Sequence, residues 1–290
     1  MRPADLLKLL RPYQWTKNGF VLVGLVFGHV YGDWGVVTRV LCAAAGFCLV
    51  SSCVYVMNDL FDVEADRVHP AKRNRPLASG SVSVPVAVVL GLLCGVAGLA
   101  LGAAASVAVA GIMSAYLALN VAYSAGLKNV VILDVFIIAA GFMLRIYAGT
   151  WGVGIAPSHW LLLCGLMLTV FLGFAKRRAE LMTGPGHGQG ETRAVLQHYS
   201  PALLDTMIAV CAAGVIVSYS LYTVSADTIA LHHTENLIFT VPLVAYGVFR
   251  YIYQLHRRGA GEDPAWALLT DPHLIVAGIA WLLMTIALLR

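Results

Sequence analysis

Long apolar runs separated by short polar stretches occupy this sequence from one end to the other. A hydrocarbon layer of about 30 Å needs about 20 residues of helix to cross it, and nine runs reach or approach that length. They cover residues 19–32, 40–57, 83–101, 106–123, 130–150, 159–174, 203–223, 237–256 and 273–289. The pattern predicts an all-α polytopic membrane protein, a bundle of about nine transmembrane helices in which the shortest runs are tilted or partly interfacial.

The composition is that of a membrane protein and excludes other classes. Of the 290 residues, 59% are hydrophobic and only 19 are basic and 15 acidic, whereas about a quarter of the residues in a soluble domain are charged. The six cysteines lie in apolar stretches without close pairs, so a disulfide scaffold is not expected. We expect residues 1–290 to form a single integral membrane domain, with a glycine-rich cytoplasmic loop at 175–202.

The basic residues predict how the chain is oriented in a cell (inner) membrane. With the N-terminus inside, fifteen of the 19 basic residues fall on cytoplasmic segments, as the positive-inside rule requires. Arg39 and Arg290 then lie outside, together with the C-terminus. The lipid bilayer is the expected surrounding, and no nucleic-acid partner is expected. A homo-oligomer is compatible with the sequence, because lipid or a second copy would cover the apolar faces equally well.

The densest group of charges lies directly after the second run, in the segment 58–82. Eight of the 34 charged residues fall between positions 58 and 75. If the second span continues as a helix to Asp66, then Asp59, Asp62 and Asp66 share one face, since a helix turns about 100° per residue. Carboxylates held together repel one another unless a hard cation lies between them, and Mg²⁺ with a diphosphate is the natural occupant. We therefore predict a magnesium site formed by these three aspartates.

Basic side chains follow the acids and supply the positive charge that phosphate oxygens need. They are Arg67, Lys72, Arg73 and Arg75. Asn58 lies one turn before Asp62. The alternative is a solvated, charge-rich loop whose carboxylates pair with arginines, and Glu64 and Arg73 fit that alternative best.

A second group of polar residues lies at 123–134. Tyr123 and Lys128 precede the fifth span, Asp134 lies early in it, and Arg145 lies eleven residues further on. We predict substrate contact for Lys128, Asp134 and Arg145. The alternatives are a structural pair of Asp134 with Lys128, and a contact of Arg145 with a polar group of a neighbouring helix. Three basic residues at span ends would contact phosphate or simply provide the charge that topology requires: Lys17, Lys176 and Arg177.

These motifs resemble the UbiA superfamily of intramembrane prenyltransferases. The sequence NDxxDxxxD at 58–66 resembles the superfamily's first aspartate-rich motif. Other segments resemble one branch of the superfamily, the phosphoribosyltransferases that act on decaprenyl phosphate: QWTKN at 14–18, HPxKRxRPxASG at 69–80, YSxxLK at 123–128, GFxLR at 141–145, KRRAEL at 176–181 and LTDP at 269–272. The second motif of the superfamily carries two acids as DxxxD, whereas only Asp134 is present here.

The resemblance implies a UbiA-like helical bundle that transfers a glycosyl group with Mg²⁺ as cofactor. A 5-phosphoribosyl group would pass from phosphoribosyl pyrophosphate to a polyprenyl (decaprenyl) phosphate lipid, and the product would feed cell-wall arabinan synthesis. Catalytic roles would fall to Asp59, Asp62, Asp66 and Asp134. Substrate binding would fall to Lys17, Asn58, Arg67, Lys72, Arg73, Arg75, Tyr123, Lys128, Arg145, Lys176 and Arg177.

Two other functions compete with this one. A common UbiA-type enzyme would instead alkylate an aromatic acceptor with a prenyl diphosphate; the single acid of the second motif and the basic segment at 69–76 count against it. An ion-coupled transporter would place its acids near the bilayer midplane, in broken helices. The acids here cluster at one face of the membrane instead.

Overall fold

The computed structural model describes residues 2–28, 30, 32–69, 72–182, 194–257 and 270–288. Helices and turns make up this described part, without a β-strand. The chain divides into two compact units. The first unit is Met1–Lys128 with Ala140–Pro157, and the second is Asn129–Ala139 with Ser158–Arg290.

The first unit is a set of helices around a long central one, α3. Asp33 caps that helix, since its carboxylate accepts hydrogen bonds from the Gly35 and Val36 amides. Small residues of α5 allow a close approach to α3, because a Cβ added at Gly98 would lie 2.8 Å from the Gly46 carbonyl oxygen. The elements are α1 (Pro3–Leu10), a 3-10 helix (Pro12–Leu22), α2 (Val23–Phe27), α3 (Trp34–Phe61), α4 (Val63–Val68), α5 (Val84–Ala105), α6 (Val107–Ala125) and the later part of α7 (Leu133–Gly149).

The second unit begins with the first residues of α7 and continues through five further described helices. Serines cap two of these helices: Ser200 accepts from the Leu203 amide and Ser225 from the Thr228 amide. α8 packs along α9, and α11 packs along the final helix. The helices are α8 (His159–Met182), α9 (Pro201–Val224), α10 (Ala226–His232), α11 (Val241–Arg257) and α12 (Pro272–Leu288).

Seven of the described helical segments are long and apolar enough to cross a membrane. An eighth apolar helix, Pro272–Leu288, is shorter. The structure therefore confirms the all-α membrane class but not the count of nine. It also places residues 175–182 within α8, although the sequence predicts a loop from 175 to 202; residues 183–193 of that loop lie outside the described part.

The first predicted span, 19–32, is not one continuous helix. Its first residues belong to the 3-10 helix Pro12–Leu22, and the five-residue α2 follows. Side chains of the 3-10 helix are tied to α3: the Trp15 indole donates to the Ser52 hydroxyl at 3.0 Å, and the Asn18 amide donates to the Cys48 sulfur at 3.3 Å. A long 3-10 run needs such support, because its own hydrogen-bond geometry is poor.

A close backbone contact fixes the end of this segment. A Cβ added at Gly149, the last residue of α7, would lie 1.7 Å from the Val21 carbonyl oxygen. Only glycine permits that approach. The segment at 12–27 is thus held against α3 and α7 within the first unit, and its N-terminal end is fixed beside the C-terminal end of α3.

Candidate active site

The C-terminal end of α3 carries the centre of the candidate site. Asp59 is only 2% exposed and Asp66, in α4, only 3%. One nitrogen of the Arg75 guanidinium contacts both carboxylates, at 3.2 Å from Asp59 and 2.6 Å from Asp66. Arg11 forms a second ion pair with Asp59. Two acids and two arginines from four parts of the chain therefore meet at one point.

The structure corrects the prediction of three carboxylates on one continuous helix. α3 ends at Phe61, and Asp62 departs from helical geometry with φ −96° and ψ 5°. Asp62 forms its ion pair with Lys128 instead, at 3.5 Å. The reason is that the helix is interrupted at Asp62, which lies between the end of α3 and the start of α4, so the three carboxylates do not follow one continuous helical face.

The two predicted motifs of the first unit are brought together at this end of α3. The Ser124 hydroxyl, at the end of α6, donates to the Asn58 side-chain oxygen at 2.7 Å. With the Lys128 contact to Asp62, this makes two links between the segments 58–62 and 123–128. Tyr123 lies half-buried one residue before Ser124. Asn58 therefore has an orienting partner that sequence reasoning did not identify.

The remaining basic residues of the 58–82 segment lie further out. Arg67 is exposed and pairs with Glu64 one turn earlier, at 2.8 Å. Lys72 and Arg73 lie exposed in a short 3-10 turn, Lys72–Asn74. The structure thus does not join these three basic residues to the buried carboxylates, and it matches the solvated-loop alternative for Glu64 and Arg67. Lys17 lies half-buried in the first 3-10 helix.

A cavity of about 520 Å³ opens beside these ion pairs, within the first unit. Its polar lining consists of Lys8, Arg11, Asp59 and Arg75. Sequence reasoning missed Lys8 and Arg11 as site residues. The available signal was an amphipathic stretch, PADLLKLL at 3–10, followed by an Arg-Pro pair that ends the helix.

Arg11 has an unusual backbone conformation. Its φ of 51° and ψ of 56° lie in the left-handed region, which costs a non-glycine residue about 1–2 kcal/mol. Residues held in this way cluster at functional sites. The chain reverses direction here between α1 and the 3-10 helix, and the ion pair of Arg11 with Asp59 offsets part of the cost.

The fit of a divalent cation can be judged from the carboxylates themselves. In the described residues, no three His, Cys, Asp or Glu side chains form a group that could hold a metal ion. Asp59 and Asp66 form a pair with one cationic nitrogen, that of Arg75, between them. Mg²⁺ is usually bound by one or two carboxylates and completed by substrate phosphates and water. A pair of carboxylates therefore fits Mg²⁺ together with a pyrophosphate, whereas the predicted triad is not assembled.

The second unit contains a separate buried ion pair at Asp134. The Asp134 carboxylate is fully buried; the Arg177 guanidinium donates to it at 2.6 Å and the Tyr199 hydroxyl at 3.0 Å. The Ile132 amide donates to the Tyr199 oxygen at 2.6 Å. Burial raises the pKa of the Tyr199 phenol to about 12.

These contacts favour a structural role for Asp134, which the sequence places among the catalytic residues. The partner is Arg177 rather than Lys128, so the alternative pairing with Lys128 is wrong. Arg177 is itself fully buried and also pairs with Glu180 one turn further along α8. Lys176 lies half-buried beside it.

Arg145 is buried in the first unit and bonds to four neighbours there. Its guanidinium donates to the Asn18 side-chain oxygen at 2.7 Å, the Gly141 carbonyl at 2.8 Å, the Tyr116 hydroxyl at 2.9 Å and the Ser51 hydroxyl at 3.1 Å. It also lies 4.6 Å from the centre of the Tyr116 ring. The predicted substrate contact finds no support in this arrangement, which matches the alternative of polar contacts between neighbouring helices.

Replacing Arg145 with methionine is expected to destabilise the protein without changing substrate affinity. The substitution removes all four buried hydrogen bonds of the guanidinium, and a hydrogen bond from a charged group contributes about 1.5–3 kcal/mol. Thermal unfolding in detergent should show a loss of at least about 3 kcal/mol in unfolding free energy. Arg39→Met, at an exposed position of α3, should change it by less than about 0.5 kcal/mol. A stable Arg145→Met protein with a raised KM would instead establish substrate contact.

Several known proteins resemble this chain in sequence or in fold. A model of the UbiA prenyltransferase family matches residues 19–271. A decaprenyl-phosphate phosphoribosyltransferase of Mycolicibacterium smegmatis is 34% identical over 96% of this chain and 90% of its own length. One from Corynebacterium glutamicum is 32% identical over 95% and 84%. A UbiA homolog of Archaeoglobus fulgidus, solved bound to DMAPP and Mg²⁺, has a similar fold, with a TM-score of 0.73 at 19% identity over 98% of this chain and 99% of its own.

Proposed function

The chain belongs to the UbiA prenyltransferase family, and from this premise we propose that it is a phosphoribosyltransferase acting on a polyprenyl phosphate. The donor is phosphoribosyl pyrophosphate, and the acceptor is decaprenyl phosphate or a related lipid. The observation that carries the proposal is the pair of buried carboxylates, Asp59 and Asp66, set among Arg11, Arg75 and Lys8. Two relatives at 32–34% identity over nearly the whole chain bear the name of this activity.

The residues at the end of α3 suit the chemistry of this transfer. Asp59 and Asp66 would hold Mg²⁺ with the pyrophosphate of the donor, and the ion when bound would neutralise negative charge on the leaving group. Arg75 contacts both of these acids, and Lys128 contacts the nearby Asp62. Their positive charge would stabilise the departing pyrophosphate. Asn58, fixed by Ser124, is placed to accept a hydrogen bond from a ribose hydroxyl or to orient an aspartate.

The transfer itself is a single displacement at the anomeric carbon. An oxygen of the lipid phosphate forms the new bond, while the bond to pyrophosphate breaks and the pyrophosphate leaves with the electron pair. The phosphate is already ionised at neutral pH, so no strong general base is needed. The configuration at the anomeric carbon inverts. The lipid-linked product would serve cell-wall arabinan synthesis.

Metal removal tests the proposed role of the two carboxylates. Purified protein in nanodiscs, given phosphoribosyl pyrophosphate and a polyprenyl phosphate, should release pyrophosphate. EDTA should suppress the release at least about a hundredfold, and Mg²⁺ in excess of the EDTA should restore it. Release that continues at an unchanged rate in EDTA would overturn the magnesium part of the proposal.

We further propose that the N-terminus and the end of α3 face the cytoplasm, in the inner membrane of the cell, because a soluble, multiply charged donor must reach the site. Green fluorescent protein fused to the N-terminus should fluoresce in a bacterial host. Alkaline phosphatase fused after Arg290 should be active, since it folds only outside the cytoplasm. An inactive phosphatase fusion with an intact full-length protein would contradict this orientation.

A further inference from the structure

The cavity beside Asp59 has a lining that the proposed reaction does not by itself explain. Among the described residues, three cationic side chains, Lys8, Arg11 and Arg75, line it against one carboxylate, that of Asp59. The rest of the lining is apolar or aromatic, and includes Leu7 and Tyr13. The formal charge of these four ionisable groups is +2, which complements a phosphomonoester carrying −1.5 to −2 at neutral pH.

The ligand that fits such a lining is amphiphilic. A sugar diphosphate presents hydroxyl donors that need acceptors, and among the described residues that line the cavity the only carboxylate is already bonded to two arginines. A phosphate attached to a hydrocarbon chain needs cations for one end and apolar surface for the other. Leu7 is 58% exposed and Tyr13 is 67% exposed, so both present apolar surface beside the cations.

The position of α1 supports the same conclusion. Leu9 is fully buried against a cluster that includes Val56 and Leu77, while Lys8 and Leu7 remain exposed. A short amphipathic helix of this kind is typical of the membrane interface, the level at which a lipid phosphate lies. Arg11 directly follows this helix, and its amide donates to the Leu7 carbonyl at 3.1 Å, so both residues lie at the same end of α1.

We propose that this cavity is the acceptor subsite, in which Lys8 and Arg11 bind the phosphate of the lipid and Leu7 and Tyr13 contact the start of its hydrocarbon chain. The proposal rests on the proposed function and divides the cations between the two substrates. Lys8 and Arg11 serve the acceptor, and Lys128 serves the donor. Arg75, which contacts Asp59 and Asp66 and also lines the cavity, lies between the two.

Binding measurements distinguish acceptor binding from donor binding without relying on turnover. Geranyl phosphate, a short soluble prenyl monophosphate, is titrated into the protein in nanodiscs, and phosphoribosyl pyrophosphate with Mg²⁺ is titrated separately. We expect Lys8→Gln, at an exposed position where folding is not at risk, to raise the Kd of geranyl phosphate at least about tenfold and to change the Kd of phosphoribosyl pyrophosphate by less than about twofold. Arg11→Gln should weaken geranyl phosphate binding at least as much, and it should also change donor binding because Arg11 pairs with Asp59.

Arg39→Gln is the matched control, because Arg39 is an exposed arginine about 30 Å along α3 from Asp59. This variant should leave both affinities unchanged.

Loss of phosphoribosyl pyrophosphate binding with geranyl phosphate binding retained would overturn the proposal and make the cavity a donor subsite. Inorganic phosphate competing as well as geranyl phosphate would also overturn it, since the apolar wall would then contribute nothing. A wild-type protein that binds geranyl phosphate but not phosphoribosyl pyrophosphate would contradict the proposed function and leave the subsite standing.

Discussion

Asp59→Asn is expected to reduce transfer activity by at least about a hundredfold, since one fixed electrostatic contact in a buried site contributes about 10²–10³ in kcat. The Asp59 carboxylate contacts both Arg11 and Arg75. Asparagine keeps the shape but removes the charge, so a bound cation loses a ligand and the two arginines lose their shared partner. Steady-state rates of label transfer into the lipid fraction, measured at saturating Mg²⁺, give the comparison.

Glu64→Gln is the control for this variant. Glu64 lies two residues from Asp66, its side chain is 80% exposed, and it contacts only Arg67 among the ion pairs of the described residues. The same loss of one carboxylate charge should therefore leave the rate within about twofold, because an exposed pair contributes little. If both variants lose activity equally, the general acidity of the segment matters and the buried position of Asp59 does not.

Arg177→Met is expected to lower the unfolding free energy by about 3–5 kcal/mol, because it leaves the fully buried Asp134 carboxylate without its cationic partner. Thermal or denaturant unfolding in detergent measures the loss. Asp134→Asn combined with Arg177→Met should recover part of it, since the double variant has no buried charge left at this pair.

Arg67→Met provides the comparison, because its pair with Glu64 is solvent-exposed on both sides. That variant should lose no more than about 1 kcal/mol. An Arg177→Met protein that keeps full stability but whose kcat falls at least about a hundredfold would restore the catalytic interpretation of Asp134. Such a protein would mean that the Asp134–Arg177 pair serves the reaction rather than the fold.

The sequence predicts local features of this site well. A spacing of seven residues places Asp59 and Asp66 on one helical face, and the structure joins them through Arg75. Asp59 lies in α3 and Asp66 in α4, so their contact depends on Arg75 as well as on the spacing. The interruption of the helix at Asp62 could not be predicted from the spacing, and Asp62 contacts Lys128 instead.

Long-range partners could not be predicted from the sequence. Arg11 meets Asp59 across 48 residues of chain, and Asp134 meets Arg177 across 43. No local pattern determines such pairs, which depend on how the helices pack. The first apolar run illustrates the same limit, because Asn18 and Trp15 bond to α3 side chains and hold a 3-10 helix where hydropathy alone favours one continuous span.

The most direct test of the proposed activity is a comparison of donors in one membrane preparation. Phosphoribosyl pyrophosphate labelled in the ribose, given with a polyprenyl phosphate, should move its label into the lipid fraction in the wild-type protein, and Asp59→Asn should abolish the transfer. A labelled prenyl diphosphate given with an aromatic acceptor should yield no labelled product. Label that appears only from the prenyl diphosphate would contradict the account and establish the common prenyltransferase activity instead.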